Sequence, residues 1–154
     1  MKHLLASTAA GLMVLGLASS AIAADLSPEE QIETRQAGYE FMGWNMGKIK
    51  ANLEGEYNAA QVEAAANVIA AIANSGMGAL YGPGTDKNVG DVKTRVKPEF
   101  FQNMEDVGKI AREFVGAANT LAEVAATGEA EAVKAAFADV GAACKSCHEK
   151  YRAK

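Results

Sequence analysis

The sequence is poor in the residues that build metal and catalytic clusters. Its 154 residues include only two cysteines and two histidines. Two sulfurs are too few for the four-ligand zinc sites that structural domains build from cysteine. One histidine, His3, lies in a segment that we expect to be removed, so the mature chain keeps only His148. Any site that needs several imidazoles is therefore excluded.

Excess basic charge and runs of β-branched residues are also missing. The chain has 15 Lys and Arg against 19 Asp and Glu, a formal net charge of −4. Without a basic patch, neither nucleic acid nor an anionic lipid surface is an expected partner. Alanine is abundant throughout the chain. This composition predicts an all-α protein.

Only one long apolar run is present, over residues 4–17. Lys2 and His3 precede it, and Ala21-Ile22-Ala23 follows it. A short basic start, an apolar stretch and an A-x-A site are typical of a secretory signal peptide. A retained membrane anchor is the alternative, but the acidic residues that come next favour cleavage. We expect a signal peptide over 1–23, one mature domain over 24–154, and no membrane contact after cleavage.

The two cysteines form the most informative motif, Cys144-Lys145-Ser146-Cys147-His148, close to the C-terminus. On a helix, thiols three residues apart lie on one face, at about the separation of the two haem vinyl groups. The next residue offers an imidazole nitrogen to iron, which makes C-x-x-C-H the attachment motif of c-type haem. The alternatives are a redox C-x-x-C, which would need a βαβ context that is not seen here, and a structural disulfide. We expect one covalent haem c per chain and, because such haem is attached outside the bacterial cytoplasm, a periplasmic protein.

Four segments carry apolar residues at alternating steps of three and four, the spacing of one helical face. They begin near Ser27, Asn58, Pro98 and Gly128. Two of the three connections are short, which predicts an antiparallel four-helix bundle. Cys144 and Cys147 fall on the core stripe of the last helix, so the haem should lie against the inside of the bundle. The remaining connection, residues 76–97 between the second and third helices, is long. We expect it to cover one edge of the haem.

The sixth position on the iron decides the function, and no second histidine is left to fill it. The methionines, Met42 above all, are candidates, although each is also ordinary core filling. The first stripe contains Arg35 and Tyr39, which core packing does not require. A buried arginine needs an anion, and haem propionates are anions. The alternatives are that Arg35 extends to solvent at the end of the bundle and that Tyr39 is a core aromatic.

These residues also carry a resemblance to a known family. The mature chain resembles the class II c-type cytochromes called cytochrome c', in particular those of purple photosynthetic bacteria. The resemblance rests on the position of the C-terminal motif and on five shorter segments. These are Tyr151-Arg152, Thr34-Arg35-Gln36, the pairs Met42-Gly43 and Met46-Gly47, and Tyr81-Gly82-Pro83-Gly84-Thr85.

The resemblance implies a four-helix bundle with a high-spin, five-coordinate iron whose shielded sixth site binds NO and CO. It makes Cys144 and Cys147 the thioether links and His148 the axial ligand. It also places Arg35 near the propionates, Tyr39 at the distal position, and Arg152 beside the axial histidine. A low-spin branch of the family has a ligating methionine on the first helix, so an electron carrier with Met42 on the iron is the alternative function.

Two further expectations concern catalysis and assembly. A haem peroxidase would need a distal base, and a tyrosine without a base partner is poor at proton transfer, so we expect no enzyme. The resemblance implies a homodimer and is compatible with periplasmic redox partners. Because Phe41, Trp44 and Ile49 surround the first helix, we expect the outward faces of the first two helices to form the dimer interface.

Overall fold

Residues 26–154 are described by a computed structural model, and the expected signal peptide lies outside the described residues. The described part of the chain contains four long α-helices and one short α-helix. They are α1 (Pro28–Glu54), α2 (Ala59–Ala73), α3 (Glu99–Gln102), α4 (Met104–Ala125) and α5 (Ala130–Tyr151). No helix within this range is long and apolar enough to cross a membrane.

α1 and α2 start next to Ser27 and Asn58, near which their segments were predicted to begin. At α1 the Ser27 hydroxyl accepts the Glu30 N–H (3.2 Å), while the Glu30 carboxylate accepts the Ser27 N–H (2.8 Å). These hydrogen bonds lower the pKa of Glu30, because they favour its charged form. At α2 the Asn58 side chain accepts the Gln61 N–H (3.0 Å). Both caps satisfy backbone donors that a helix start leaves free.

The long helices pack in chain order around one core. α1 packs on α2, α2 on α4, and α4 on α5, whereas α1 and α5 make few contacts with each other. The core contains residues of all four predicted stripes. They include Met42, Ile49, Val62, Ile69, Ala118, Leu121, Val133 and Val140. The predicted four-helix bundle is therefore confirmed, and its least packed side lies between α1 and α5.

The third helix differs from its prediction, which was one continuous helix from Pro98. The chain leaves helical geometry at Asn103 (φ −126°, ψ 44°), where the side chain donates to the Glu99 carbonyl (2.7 Å). Asparagine competes for backbone groups in this way and so favours a helix end. Because α4 restarts at Met104, its phase is shifted. Met104 and Ala111, both predicted in the core stripe, are exposed, and Ile110 is buried instead.

The connection over residues 76–97 is ordered although it contains little regular structure. A 3-10 helix spans Met77–Leu80, and a backbone bridge joins Val89 to Val92. Gly84 has a φ of +84°, a left-handed conformation that glycine adopts without strain. A second bridge joins Val96 to Arg152, at the end of α5. This segment, which we call the crossover, therefore leads from α2 to α3 and pairs with the end of α5 on the way.

Candidate haem site

The two thiols of the site lie side by side on α5 and are half-buried. Both are free in the structure, so neither takes part in the disulfide that was an alternative for this motif. Cys144 packs against the main core, and Cys147 packs against a second cluster that contains Phe100, Ile110 and Tyr151. Burial raises the pKa of each thiol.

Tyr39 lies on α1 at the side of the bundle where α1 and α5 are least packed. The residue is 44% exposed. Partial burial of its phenol raises the pKa of Tyr39, and the neighbouring Cys147 and Cys144 thiols contribute in the same direction. The Tyr39 hydroxyl accepts a hydrogen bond from the Tyr81 hydroxyl (3.3 Å). The structure thus brings Tyr39 close to both cysteines, and its place at the distal position of the haem stays a prediction.

Arg35 is buried, one turn before Tyr39, with 2% of its surface exposed. Its guanidinium donates to the carbonyls of Leu80 and Thr85 (2.9 Å each) and to the Thr94 hydroxyl (3.0 Å). Burial lowers the pKa of Arg35, because it disfavours the charged form. The alternative in which Arg35 extends to solvent is wrong. Its contact with the haem propionates stays a prediction, and its visible partners all belong to the crossover.

Two glutamines of α1 hold the same segment. Gln31 accepts the Gly82 N–H (3.0 Å) and donates to the Leu26 carbonyl (2.9 Å). Gln36 donates to the Lys93 carbonyl. A Cβ at Gly82 would lie 2.6 Å from the Gln31 side-chain oxygen, so this close approach requires glycine. Neither glutamine was among the predicted site residues, because a polar residue on a helix gives no sequence signal for a distant partner.

His148 and Arg152 lie in the last turn of α5 and beyond it, and both side chains are exposed. The Arg152 N–H donates to the His148 carbonyl (3.2 Å). The Lys97 N–H donates to the Tyr151 carbonyl (2.9 Å), and the Ala153 N–H donates to the Arg95 carbonyl (2.8 Å). The end of the helix that carries the C-x-x-C-H motif is therefore fixed to the crossover by backbone pairing.

A further contact, which sequence reasoning missed, fixes the same turn from the other side. The Tyr151 hydroxyl donates to the Asp106 carboxylate (2.6 Å), and the Lys150 ammonium donates to its two oxygens (3.0 and 3.2 Å). Asp106 belongs to the first turn of α4. These bonds hold the pKa of Asp106 below its usual range, and they raise the pKa of Tyr151 to about 12. We call this group, Asp106 with Lys150 and Tyr151, the α4–α5 clamp.

The methionines that were considered as iron ligands have different environments. Met42 is buried in the main core with 5% exposure, and Met46 is partly buried against the same cluster. Met77 packs close to Gly38, since a Cβ there would lie 3.0 Å from its terminal methyl group. Met104 is 54% exposed. Met42, Met46 and Met77 therefore occupy packing positions, whereas Met104 does not.

The donor set and the packing fit a covalently attached haem. Two free thiols lie three residues apart, a histidine follows directly, and α1 makes few contacts with α5 on that side. Aromatic side chains and a buried cation lie on the neighbouring elements. They are Tyr39, Tyr81, Phe100 and Arg35. Two surface depressions, lined by residues such as Asn52 and Asp106, carry no thiol or imidazole.

A family model for cytochrome c' matches residues 30–152. The chain belongs to the cytochrome c' family. Over all 154 residues of both chains it is 97% identical to a cytochrome c' of Allochromatium vinosum. It is 50% identical over 127 residues to that of Rhodocyclus tenuis, covering 82% of this chain and 96% of the relative. As in other members, one haem c is bound covalently per chain, which confirms the predicted cofactor.

Solved structures of cytochrome c' have the same fold. One, described as having an unusual ligand-controlled dimer dissociation, has a TM-score of 0.83 and 98% identity, and covers 84% of this chain and 98% of its own. The cytochrome c' of Thermochromatium tepidum has a TM-score of 0.83 and 83% identity, and the match covers 84% of this chain and 99% of that structure's chain. A carbon monoxide-bound variant and a nitric oxide complex of a variant from Alcaligenes xylosoxidans both have a TM-score of 0.73 and 29% identity over 83% and 98%.

Proposed function

We propose that this cytochrome c' is a periplasmic, high-spin protein whose haem iron binds NO and CO, and that it also passes electrons to periplasmic redox partners. The observation that carries the proposal is the site formed by one histidine, two thiols and a tyrosine. His148 follows the thiols on α5, and Tyr39 lies near the same thiols on α1. A single imidazole leaves no second histidine for the sixth position, and a sixth position without a methionine would be open to an external molecule.

Each side chain has a separate task in this proposal. Cys144 and Cys147 would form the thioether links, and His148 would bind the iron. Arg35 would approach the propionates while it holds the crossover, and Arg152 would lie beside His148. When bound, the haem supplies an iron that binds a diatomic gas and changes oxidation state. Tyr39 shields the distal side by its bulk.

The complexes of relatives support the gas ligands. Cytochrome c' variants of Alcaligenes xylosoxidans bind carbon monoxide and nitric oxide. The packing of Met42 in the main core supports an iron without a methionine ligand, in contrast to the electron-carrier alternative. Tyr39 is hydrogen-bonded to another phenol, and burial raises the pKa of both. Neither phenol is a base at neutral pH, so we propose binding without catalysis.

The first test is spectroscopic. We expect acid–organic extraction to leave the haem on the protein, and Cys147→Ala to lose one thioether. Optical spectra of the oxidised and reduced protein should be high-spin, and CO should shift the reduced spectrum. Haem that extracts freely would contradict covalent attachment. A methionine-to-iron charge-transfer band in the oxidised protein would instead establish the electron carrier with a methionine ligand.

The same proposal includes a homodimer. Phe41 and Trp44 on α1 are 51% and 58% exposed and stack on each other with ring centroids 5.5 Å apart. Lys48 lies over the Trp44 ring, 4.2 Å from its centroid. Large apolar side chains grouped on one helix face are typical of protein interfaces. The relative described by ligand-controlled dimer dissociation supports this assembly.

A further inference from the structure

Tyr81, in the crossover, packs against an aromatic ring and against a cation. The Phe100 ring stacks on it with centroids 4.5 Å apart and an interplanar angle of 23°. The Arg35 guanidinium carbon lies 4.4 Å from the Tyr81 ring centroid. Arg35 is itself fixed by three hydrogen bonds to the crossover. Because the Tyr81 ring contacts both a cation and an aromatic ring, its side chain has little freedom to rotate.

The hydroxyl of the Tyr81 side chain contacts Tyr39. The Tyr81 hydroxyl donates to the Tyr39 hydroxyl (3.3 Å) across 42 residues of sequence. Burial raises the pKa of both phenols, so both keep their proton at physiological pH and the donor is always present. The contact therefore joins a rigid residue of the crossover to the tip of the tyrosine that faces the two thiols.

We propose that Tyr81 is a positioning residue for gas binding, whose hydroxyl holds Tyr39 in its shielding position. The inference rests on the proposed function, in which Tyr39 limits access to the iron. A gas molecule that displaces Tyr39 must also break the hydrogen bond from Tyr81. The barrier to gas binding then has two parts, the bulk of the Tyr39 ring and the bond that retains it.

The first experiment removes only the bond. Tyr81→Phe keeps the ring that stacks on Phe100 and deletes the donor. We expect the CO association rate of the reduced protein, measured by flash photolysis, to rise about two- to tenfold, the range set by a neutral hydrogen bond. Tyr57→Phe, a hydroxyl deletion in the connection between α1 and α2, is the matched control and should leave the rate unchanged. Circular dichroism and the haem spectrum check that each variant folds.

A double-mutant cycle shows whether the effect passes through Tyr39. Tyr39→Phe keeps the bulk and removes the acceptor. Tyr81→Phe should therefore add almost nothing in the Tyr39→Phe background, because the bond is already absent. Fully additive effects would overturn the proposal, since they would mean that Tyr81 acts on CO by another route.

The inference and the proposed function fail in different ways. If Tyr39→Ala speeds CO association and Tyr81→Phe does not, Tyr39 shields the iron without help from Tyr81, and only the positioning role is wrong. If Tyr39→Ala also leaves the rate unchanged, shielding by Tyr39 is wrong, and the role of Tyr81 falls with it. A faster rate in both variants, with the cycle described above, supports both.

Discussion

At the scale of single residues, Arg35 shows how one side chain can organise a long connection. Its planar fork reaches two carbonyls and one hydroxyl that no backbone group of α1 could satisfy. Thr85, one of these partners, is fully buried, so its carbonyl has no access to bulk water. Because buried carbonyls without a donor are costly, the crossover depends on this guanidinium.

We expect Arg35→Lys to destabilise the protein although the charge is kept. A lysine ammonium is a compact donor that cannot reach three acceptors in a plane, so at least one buried partner loses its bond. The free energy of unfolding should fall by about 2–4 kcal/mol. Urea unfolding of the haem-containing protein measures it, with Arg112→Lys on the exposed face of α4 as control. A loss below about 0.5 kcal/mol would show that the crossover has other sufficient anchors.

The sequence predicted some of these residues and missed others for a clear reason. Arg35 and Tyr39 could be singled out because they interrupt an apolar stripe. The cysteines could be singled out because their spacing, followed by a histidine, is that of the haem attachment motif. Tyr81 was noted only as part of a family segment, and Asp106 was not noted at all. Their partners lie 42 and 45 residues away in sequence. Helical periodicity describes one helix at a time and contains no such information.

At the scale of helices, the α4–α5 clamp joins the first turn of α4 to the last turn of α5. Asp106 gains from its position, since a carboxylate in the first turn of a helix interacts favourably with the helix dipole. Together with the backbone pairing of residues 95–97 to the end of α5, it holds the turn that follows the C-x-x-C-H motif. The starts of α1 and α2 were predictable from Ser27 and Asn58, whereas this tertiary contact and the break at Asn103 were not.

The clamp predicts a stability that depends on pH at both extremes. The pKa of Asp106 is lowered in the folded protein, so its contribution is full above the ordinary aspartate pKa and is lost as the pH falls through the folded value. The pKa of Tyr151 is raised to about 12, so its contribution is full below the ordinary tyrosine value and is lost as the pH rises towards about 12.

Asp106→Asn tests this dependence. We expect the variant to be less stable than the wild type near neutral pH and the difference to disappear in acid, where the wild-type carboxyl is protonated. Thermal unfolding at a series of pH values measures both curves. Asp139→Asn, at an exposed position of α5, is the matched control. A stability difference that is the same at every pH would mean that the charge of Asp106 plays no part.

At the scale of the whole molecule, the bundle is asymmetric. Three pairs of helices pack closely, and the side between α1 and α5 carries Tyr39 and the thiols. On α1, Phe41 and Trp44 are exposed only a few residues from Tyr39. One helix therefore contributes to the proposed gas site and to the proposed dimer interface, so a movement of α1 would affect both.

We expect Trp44→Glu to weaken the dimer, because a buried charge replaces an aromatic anchor. The dimer dissociation constant should rise at least about tenfold. Sedimentation velocity over a dilution series measures it. Met104→Glu introduces the same charge at another exposed apolar residue, outside the proposed interface, and should leave the constant unchanged. Equal effects of the two variants would place the interface elsewhere, and a wild-type monomer at every concentration would remove the dimer altogether.

The same measurement on the reduced protein with and without CO tests whether the two sites are coupled. If CO displaces Tyr39 and shifts α1, the interface that contains Phe41 and Trp44 should be weakened. The dimer should then dissociate more readily in the presence of CO. Coupling of this kind is reciprocal, so dimerisation must lower the CO affinity by the factor by which CO weakens the dimer. CO titrations at low and high protein concentration should give that same factor. A dimer constant that CO leaves unchanged would show that the movement of Tyr39 stays local and that α1 does not transmit it.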